Sequence, residues 1–334
     1  MPKIRYNNMD NISTDKTLKQ FRQWRNERRQ KKKDYSSYQV PNVQPELDYL
    51  HQNRQETAIT WIGHSTFFIQ YEGLNMITDP VWARRMGFER RLGEPGLSID
   101  DVPPLDVMLI SHSHYDHMHL ASIRKLYRAG TKLIVPIGLK SKMIRKGFHN
   151  CVEMKWWEHI VVGNVRISFV PTQHWTRRTP FDTNTSHWGG FVLEPVEPPV
   201  LEEEGNSASR GVQSLPPNLY FAGDSGYFPG FKEIGEKFNI HVALMPIGAY
   251  EPEWFMTSQH TNPEEALRAF LDVKAETMIP MHYGTFKLAD DTAREALDRM
   301  ENERIRLNIE QDRIQILSYG QTLRIHPELR RPDL

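Results

Sequence analysis

A single cysteine, Cys151, stands in 334 residues, so no disulfide can form within the chain. The chemistry must therefore suit a reducing compartment or ignore redox state. No apolar run approaches the length needed to cross a bilayer. The opening residues, Met-Pro-Lys-Ile-Arg-Tyr-Asn-Asn, lack the apolar core of a secretory leader. The expectation is a cytoplasmic protein whose membrane contact, if any, is peripheral. Net charge is missing too: Lys and Arg total 42 and Asp and Glu total 42, which gives no general pull towards nucleic acid. What is present suits a packed globular chain, with 39% hydrophobic and 10% aromatic residues.

The charge is nevertheless unevenly spread. Residues 1–40 hold 11 Lys or Arg against four Asp or Glu, densest from Lys19 to Lys33. Leu18, Phe21 and Trp24 recur at every third position, one stripe of a helix. Such a basic helix either lies on an anionic membrane or packs its stripe onto the domain, and the short stripe favours packing. Residues 1–55 are thus expected to form a basic arm flanking the domain. Residues 1–40 offer no plausible metal ligand, so their removal is expected to leave turnover of a small soluble diester nearly intact. Residues 56–334 form the domain itself. Within it, residues 195–217 are rich in Pro, Glu, Gly and Ser and read as a mobile surface insertion that cannot build a core.

From Thr57 onward, short β-rich runs alternate with helical ones. TAITWIG, STFFIQY and LNMITDP predict a meander of strands. DVMLIS, KLIVP, VRISFVPTQH, WGGFVLE, NLYFAGD, VALMPIG and ETMIPMH predict further strands, and RIQILSYG predicts a closing one. Helices are predicted over 119–128, 139–146, 231–238 and 289–303, and after the capping signal in TNPEEALRAFLDV. The alternation implies an α/β chain with sheets covered by helices.

The chemistry concentrates in Ser111–His119, SHSHYDHMH. On an extended segment, side chains at i and i+2 point the same way, so His112 and His114 can hold one metal ion. Asp116 and His117 follow where the chain turns, and can face a second ion. Imidazole and carboxylate suit zinc, and also iron or manganese. Without a metal, so many buried imidazoles would waste desolvation energy. Three further candidates end apolar strands: His174, Asp224 and His282. Asp224, with two oxygens, is the natural bridge. Asp79 ends another strand, where it can orient a ligand imidazole or cap a turn.

The block HSHYDH, a downstream histidine, the GD aspartate and a final histidine resemble the metallo-β-lactamase superfamily. FAGDSGYFPGFKEIGEKF, MPIGAYEPEWFM, QHTNPEEA and HYGTF resemble its N-acyl-phosphatidylethanolamine-hydrolysing phospholipase D branch. The resemblance runs from about Thr57 to the C-terminus and implies a four-layer αββα sandwich with two zinc ions at one edge. It implies that His112, His114 and His174 hold one ion, that Asp116, His117 and His282 hold the other, and that Asp224 bridges. His260 matches a family histidine lining the site and is a candidate for substrate binding or proton donation. His64 resembles a position near the site without being expected as a ligand. The segment Trp82–Pro104 and the basic arm depart from the branch.

Two divalent ions about 3.5–4 Å apart lower the pKa of a shared water. No Ser or Cys nucleophile is then needed, and Asp116 is expected to orient that water. The implied reaction is phosphodiester hydrolysis on a small molecule or a phospholipid. Tyr250, Glu251 and Trp254 on one loop, with Trp175 and Arg177 beside His174, are expected to shape an aromatic mouth with a cation for the substrate. Competing readings are a lactonase or phosphotriesterase on the same metals, a di-iron redox protein, and a non-catalytic membrane-binding protein. A homodimer is left open.

Overall fold

The computed structural model describes residues 4–30, 35, 38–196 and 216–325. Most of the expected insertion, 197–215, and part of the basic run, 31–33, lie outside the described residues.

Helix α1 (Leu18–Gln30) and the short α2 (Leu47–Gln52) precede the first strand. The meander follows as β1 (Thr57–Gly63), β2 (Thr66–Tyr71) and β3 (Leu74–Thr78). A two-residue-per-strand hairpin, β4 (Arg85–Met86) and β5 (Glu89–Arg90), occupies the segment that departs from the branch. Next come β6 (Val107–Leu109), α3 (Leu120–Leu126), β7 (Lys132–Pro136), α4 (Lys140–Ile144) and β8 (Cys151–Met154). Together with the last strand, these complete a seven-stranded sheet ordered β15-β1-β2-β3-β6-β7-β8.

The second sheet contains β9 (His159–Val162), β10 (Val165–Val170), β11 (Gly190–Pro195), β12 (Leu219–Phe221), β13 (Val242–Pro246) and β14 (Thr277–Met281). They lie in the order β14-β13-β12-β11-β10-β9. Helices α5 (Gly230–Lys237), α6 (Glu253–Met256), α7 (Pro263–Asp272) and α8 (Ala293–Arg306) fall among and after them. The chain closes with β15 (Thr322–Ile325), antiparallel to β1.

The inner strands of the first sheet, β1, β2, β3, β6 and β7, are buried on both faces, and their side chains alternate between them with a period of two. Ile59, Trp61, Phe67, Ile69, Val107 and Leu109 point to the core shared with the second sheet. Their neighbours Ile62, Phe68, Met108 and Ile110 point outward, under Leu50 of α2, Ile123 of α3 and Met143 of α4. On the far side, Phe231 of α5 and Leu267 and Phe270 of α7 join the shared core. The result is helix, sheet, sheet, helix: the expected four layers.

Two expectations about elements need correction. RIQILSYG is not the closing strand. Its Ile314 makes one isolated bridge to Met278, and Ile314 and Leu317 are buried, so its apolar residues serve the core without a ladder. The last helix starts at Ala293 rather than 289, because Thr292 caps it by accepting a hydrogen bond from the Glu295 amide.

Candidate metal centre

The carboxyl ends of β1, β3, β6, β10, β12 and β14 gather at one edge of the sandwich. β3 and β6 run parallel, as do β12, β13 and β14. β1 and β10 match their directions through antiparallel pairs with β2 and β11. Each of these ends is followed by a metal-capable residue: His64, Asp79, the His112–His117 block, His174, Asp224 and His282. His64, Asp79 and His282 have positive φ angles, of 56°, 34° and 64°. Backbone strain of this kind persists where the surroundings over-determine it, as at functional sites. At Gly223, which also has positive φ, an added Cβ would lie 2.8 Å from Ser111 Cβ. Only glycine lets the loop carrying Asp224 press against the loop carrying His112.

The ligand-capable atoms form two clusters. In the first, His112 Nε2 lies 2.9 Å from His114 Nδ1, which lies 3.1 Å from His174 Nε2. A tetrahedral zinc with bonds of about 2.0–2.1 Å spaces ligand nitrogens by roughly 3.3 Å. Three converging lone pairs cannot all be satisfied by hydrogen bonds to one another; one cation satisfies all three. In the second cluster, His117 Nε2 lies 3.2 Å from His282 Nε2 and 3.4 Å from Asp116 Oδ2. His64 Nε2 lies 3.0 Å from the same Asp116 oxygen.

Asp224 stands between the clusters. Its Oδ2 is 3.8 Å from both His112 Nε2 and His174 Nε2, and 3.1 Å from His117 Nε2. Its Oδ1 is 3.2 Å from His282 Nε2. The fit to metal is supported by an orphaned atom: Asp224 Oδ1, turned towards His282 of the second cluster, is buried without a hydrogen-bond partner, a costly arrangement unless something else engages the group.

The titration pattern follows from burial and charge. Burial lowers the imidazoles of the first cluster, His112 well below its usual range, His114 to about 3 and His174 to about 4, so these rings are neutral and their lone pairs available. Burial acts the same way on His117 and His282, but the Asp224 and Asp116 carboxylates outweigh it, lifting His117 well above its usual value and His282 to about 9. Burial likewise opposes ionisation of Asp116 and Asp224, yet His117 and its neighbours hold both well below the carboxylate range.

Supporting contacts fix the rings. Asp79 Oδ2 accepts from His117 Nδ1 at 2.7 Å. Asp79 also accepts from the Ser111 amide at 2.7 Å and hydroxyl at 2.5 Å. The Gln259 carbonyl accepts from His174 Nδ1 at 2.8 Å. Arg178 donates through Nη1 to the carbonyls of Ser113 and Met118, at 2.8 and 2.9 Å, and its guanidinium covers the Tyr115 ring. That cation is engaged in holding the histidine block. His64, Ser111, Gln259 and Arg178 were not expected in these roles. His64 shares the signal of the others, a metal-capable residue after an apolar strand. Gln259 acts through its main chain, which no residue type betrays.

A cleft of about 630 Å³ opens over Asp116, Asp224 and His260, with Trp175, Arg177, Pro180, Met256 and Leu288 among its walls. Trp175 meets His114 edge-on at 4.8 Å, and Arg177 lies over the Trp175 ring. Three expected mouth residues are placed elsewhere. Tyr250 is fully buried in the core, with Arg299 over its ring at 4.8 Å. Glu251 lies 4.0 Å from the same Arg299. Trp254 points outward, donating from Nε1 to Glu27 of α1 at 3.0 Å. The loop's Ala249, Met256 and Gln259 face the cleft instead, because α6 turns its Trp254 side towards α1.

Residues 74–283 match the β-lactamase superfamily domain. The chain is 34% identical over 255 residues to the mitochondrial N-acyl-phosphatidylethanolamine-hydrolysing phospholipase D of Saccharomyces cerevisiae, covering 72% of this chain and 50% of that one. It is 34% identical over 247 residues to N-acyl-phosphatidylethanolamine-hydrolysing phospholipase D 1 of Caenorhabditis elegans, covering 69% of this chain and 64% of that one. The chain thus spans between half and two-thirds of the length of these curated relatives. Its fold is similar to that of a metallo hydrolase from Ignicoccus hospitalis, with a TM-score of 0.58 and 21% identity, covering 81% of this chain and 99% of that one. With the shared fold and the matched domain, the chain belongs to the metallo-β-lactamase superfamily of metal-dependent hydrolases.

Proposed function

We propose that the chain is a binuclear phosphodiesterase of phospholipase D type, loaded with zinc and acting on N-acyl-phosphatidylethanolamine-like diesters. The observation that carries the binuclear reading is the position of Asp224, whose Oδ2 lies 3.8 Å from the first cluster's His112 and His174 while its Oδ1 lies 3.2 Å from His282 of the second. His112, His114 and His174 would hold one ion, Asp116, His117 and His282 the other, with Asp224 shared. The phosphodiester reading draws on the likeness to the yeast and worm enzymes.

Bound there, a pair of divalent ions supplies Lewis acidity and a water activated near neutral pH. The protein's own groups do the rest. Asp116, its Oδ2 restrained by His64, is placed to orient the attacking oxygen. His260 lines the cleft, and burial holds its imidazole well below its usual pKa against the pull of Asp224. It is placed to hydrogen-bond a substrate oxygen or to pass a proton to it. Arg177, over Trp175 at the cleft wall, is available for an anionic group, and Trp175, Met256 and Leu288 shelter an apolar substituent.

Zinc-loaded protein should hold roughly two equivalents of metal and hydrolyse diesters in preference to lactones and phosphotriesters. In water enriched in heavy oxygen, attack at phosphorus puts the label in the phosphate product. Label in the alcohol, or efficient lactone turnover without diester activity, would overturn the reading.

A further inference from the structure

The basic arm is not remote from the centre. Before α1, the chain runs along the loops that carry His174 and Gln259. Arg5 donates to the Thr183 carbonyl, and the Tyr6 amide to the Asn184 carbonyl, both at 2.8 Å. Asn8 is buried. Its Oδ1 accepts from the His174 amide and from Trp188 Nε1, each at 2.9 Å, and its Nδ2 donates to the Ile12 carbonyl at 3.0 Å. Eight residues on, Lys16 Nζ donates to Ser258 Oγ at 3.0 Å and lies over the Phe255 ring. Ser258 immediately precedes Gln259, whose carbonyl takes the His174 Nδ1–H at 2.8 Å. Helix α1 then locks the strip down, with Trp24 stacked on Phe255 at 5.4 Å and Arg28 paired with the buried Asp290 at 3.3 Å.

We propose that residues 6–16 form a strap that positions His174, Asn8 holding its main chain and Lys16 steadying the Ser258–Gln259 stretch that receives its ring. A ligand imidazole needs one nitrogen aimed at the metal and the other tied down, and loss of such outer contacts weakens metal binding. His174 has both its amide and its Nδ1 fixed, and the strap reaches each fixing point. A strand end alone would fix the main chain less well, since β10 stops at Val170, four residues earlier. Arm residues thus belong to the centre, contrary to the expectation that their removal leaves turnover intact. The inference rests on the reading of His174 as a ligand.

The test follows zinc loss from the loaded 334-residue chain to excess chelator, alongside the melting temperature of each chelated variant. His174→Ala should lose one equivalent outright; unchanged retention of both would overturn the ligand reading itself. Asn8→Ala should release one equivalent about 10–100-fold faster than the parent. Asn8→Asp, which keeps an acceptor oxygen for the His174 amide, should largely restore the parent rate. A purely structural role would lower melting for both Asn8 variants and leave zinc loss unchanged. That result, or equal acceleration in both variants, overturns the strap. Should Asn8→Ala fail to fold, Lys16→Met reads the other anchor: severalfold faster loss of one equivalent supports the strap, and parent-like loss overturns it.

Discussion

Asp224 has the most demanding position at the centre, with one oxygen towards His282 and the other within 4.0 Å of His112, His117, His174 and His260. A shared carboxylate serves both proposed ions, whereas each histidine serves one. Asp224→Ala should therefore bring metal content below one equivalent, and cut turnover by more than the roughly 10- to 100-fold typical of changes outside the ligand set. His174→Ala should spare the ion held by Asp116, His117 and His282. Metal analysis of the two variants side by side decides this, and equal losses would remove the bridge. The His and Asp residues that gather at the centre were legible as candidates because Asp and His are costly in a core without a partner, and here they follow apolar strands. Asn8, Gln259 and Arg178 were not legible, because each contact runs through a main-chain atom, of the partner or of the residue itself, across a long stretch of sequence. The aromatic mouth was misread for a related reason: Tyr250 and Trp254 are as well suited to core packing and helix contact as to substrate, and composition cannot say which way a loop faces.

At the scale of elements, the central strands were visible as apolar runs, and α7 through its capping residues. The half-exposed edge strand β9, with burial alternating along His159–Val162, gave a weaker pattern and was missed, as was the four-residue β8. Helix α7 has its full capping box: Asn262 Oδ1 accepts from the Glu265 amide at 2.8 Å, and Glu265 Oε2 accepts from the Asn262 amide at 3.2 Å. The cap begins two residues after His260. The adjoining turn is held separately, by Thr261 Oγ1 donating to the Pro246 carbonyl at 2.9 Å. Asn262→Ala should thus cost about 1 kcal/mol of folding stability while leaving metal content unchanged. Denaturant unfolding and metal analysis test the two halves, and a loss of metal would show that the cap also sets the His260 loop.

For the whole molecule, the proposed ligands join the two sheets at one edge. His112, His114, Asp116 and His117 follow β6 of the first sheet, while His174, Asp224 and His282 follow β10, β12 and β14 of the second. Ions that bind only the folded chain should stabilise it by mass action, by roughly 2.7 kcal/mol per site at a hundredfold excess over the dissociation constant. This stabilisation should depend on pH with a definite sign. In chelated protein, burial lowers His117 and His282 but the carboxylates raise them, His282 to about 9. A raised histidine pKa favours the folded chelated protein fully below the usual value of about 6.5, and that benefit fades as pH rises through about 9. Ligation needs the neutral ring, so zinc must displace these protons at neutral pH. The gap in melting temperature between zinc-loaded and chelated protein should widen as pH rises from 6 towards 8.5, and Asp224→Ala should abolish most of it. Thermal unfolding across that range is the measurement. A gap that narrows with rising pH would mean that the two sheets are not tied by ions on these histidines.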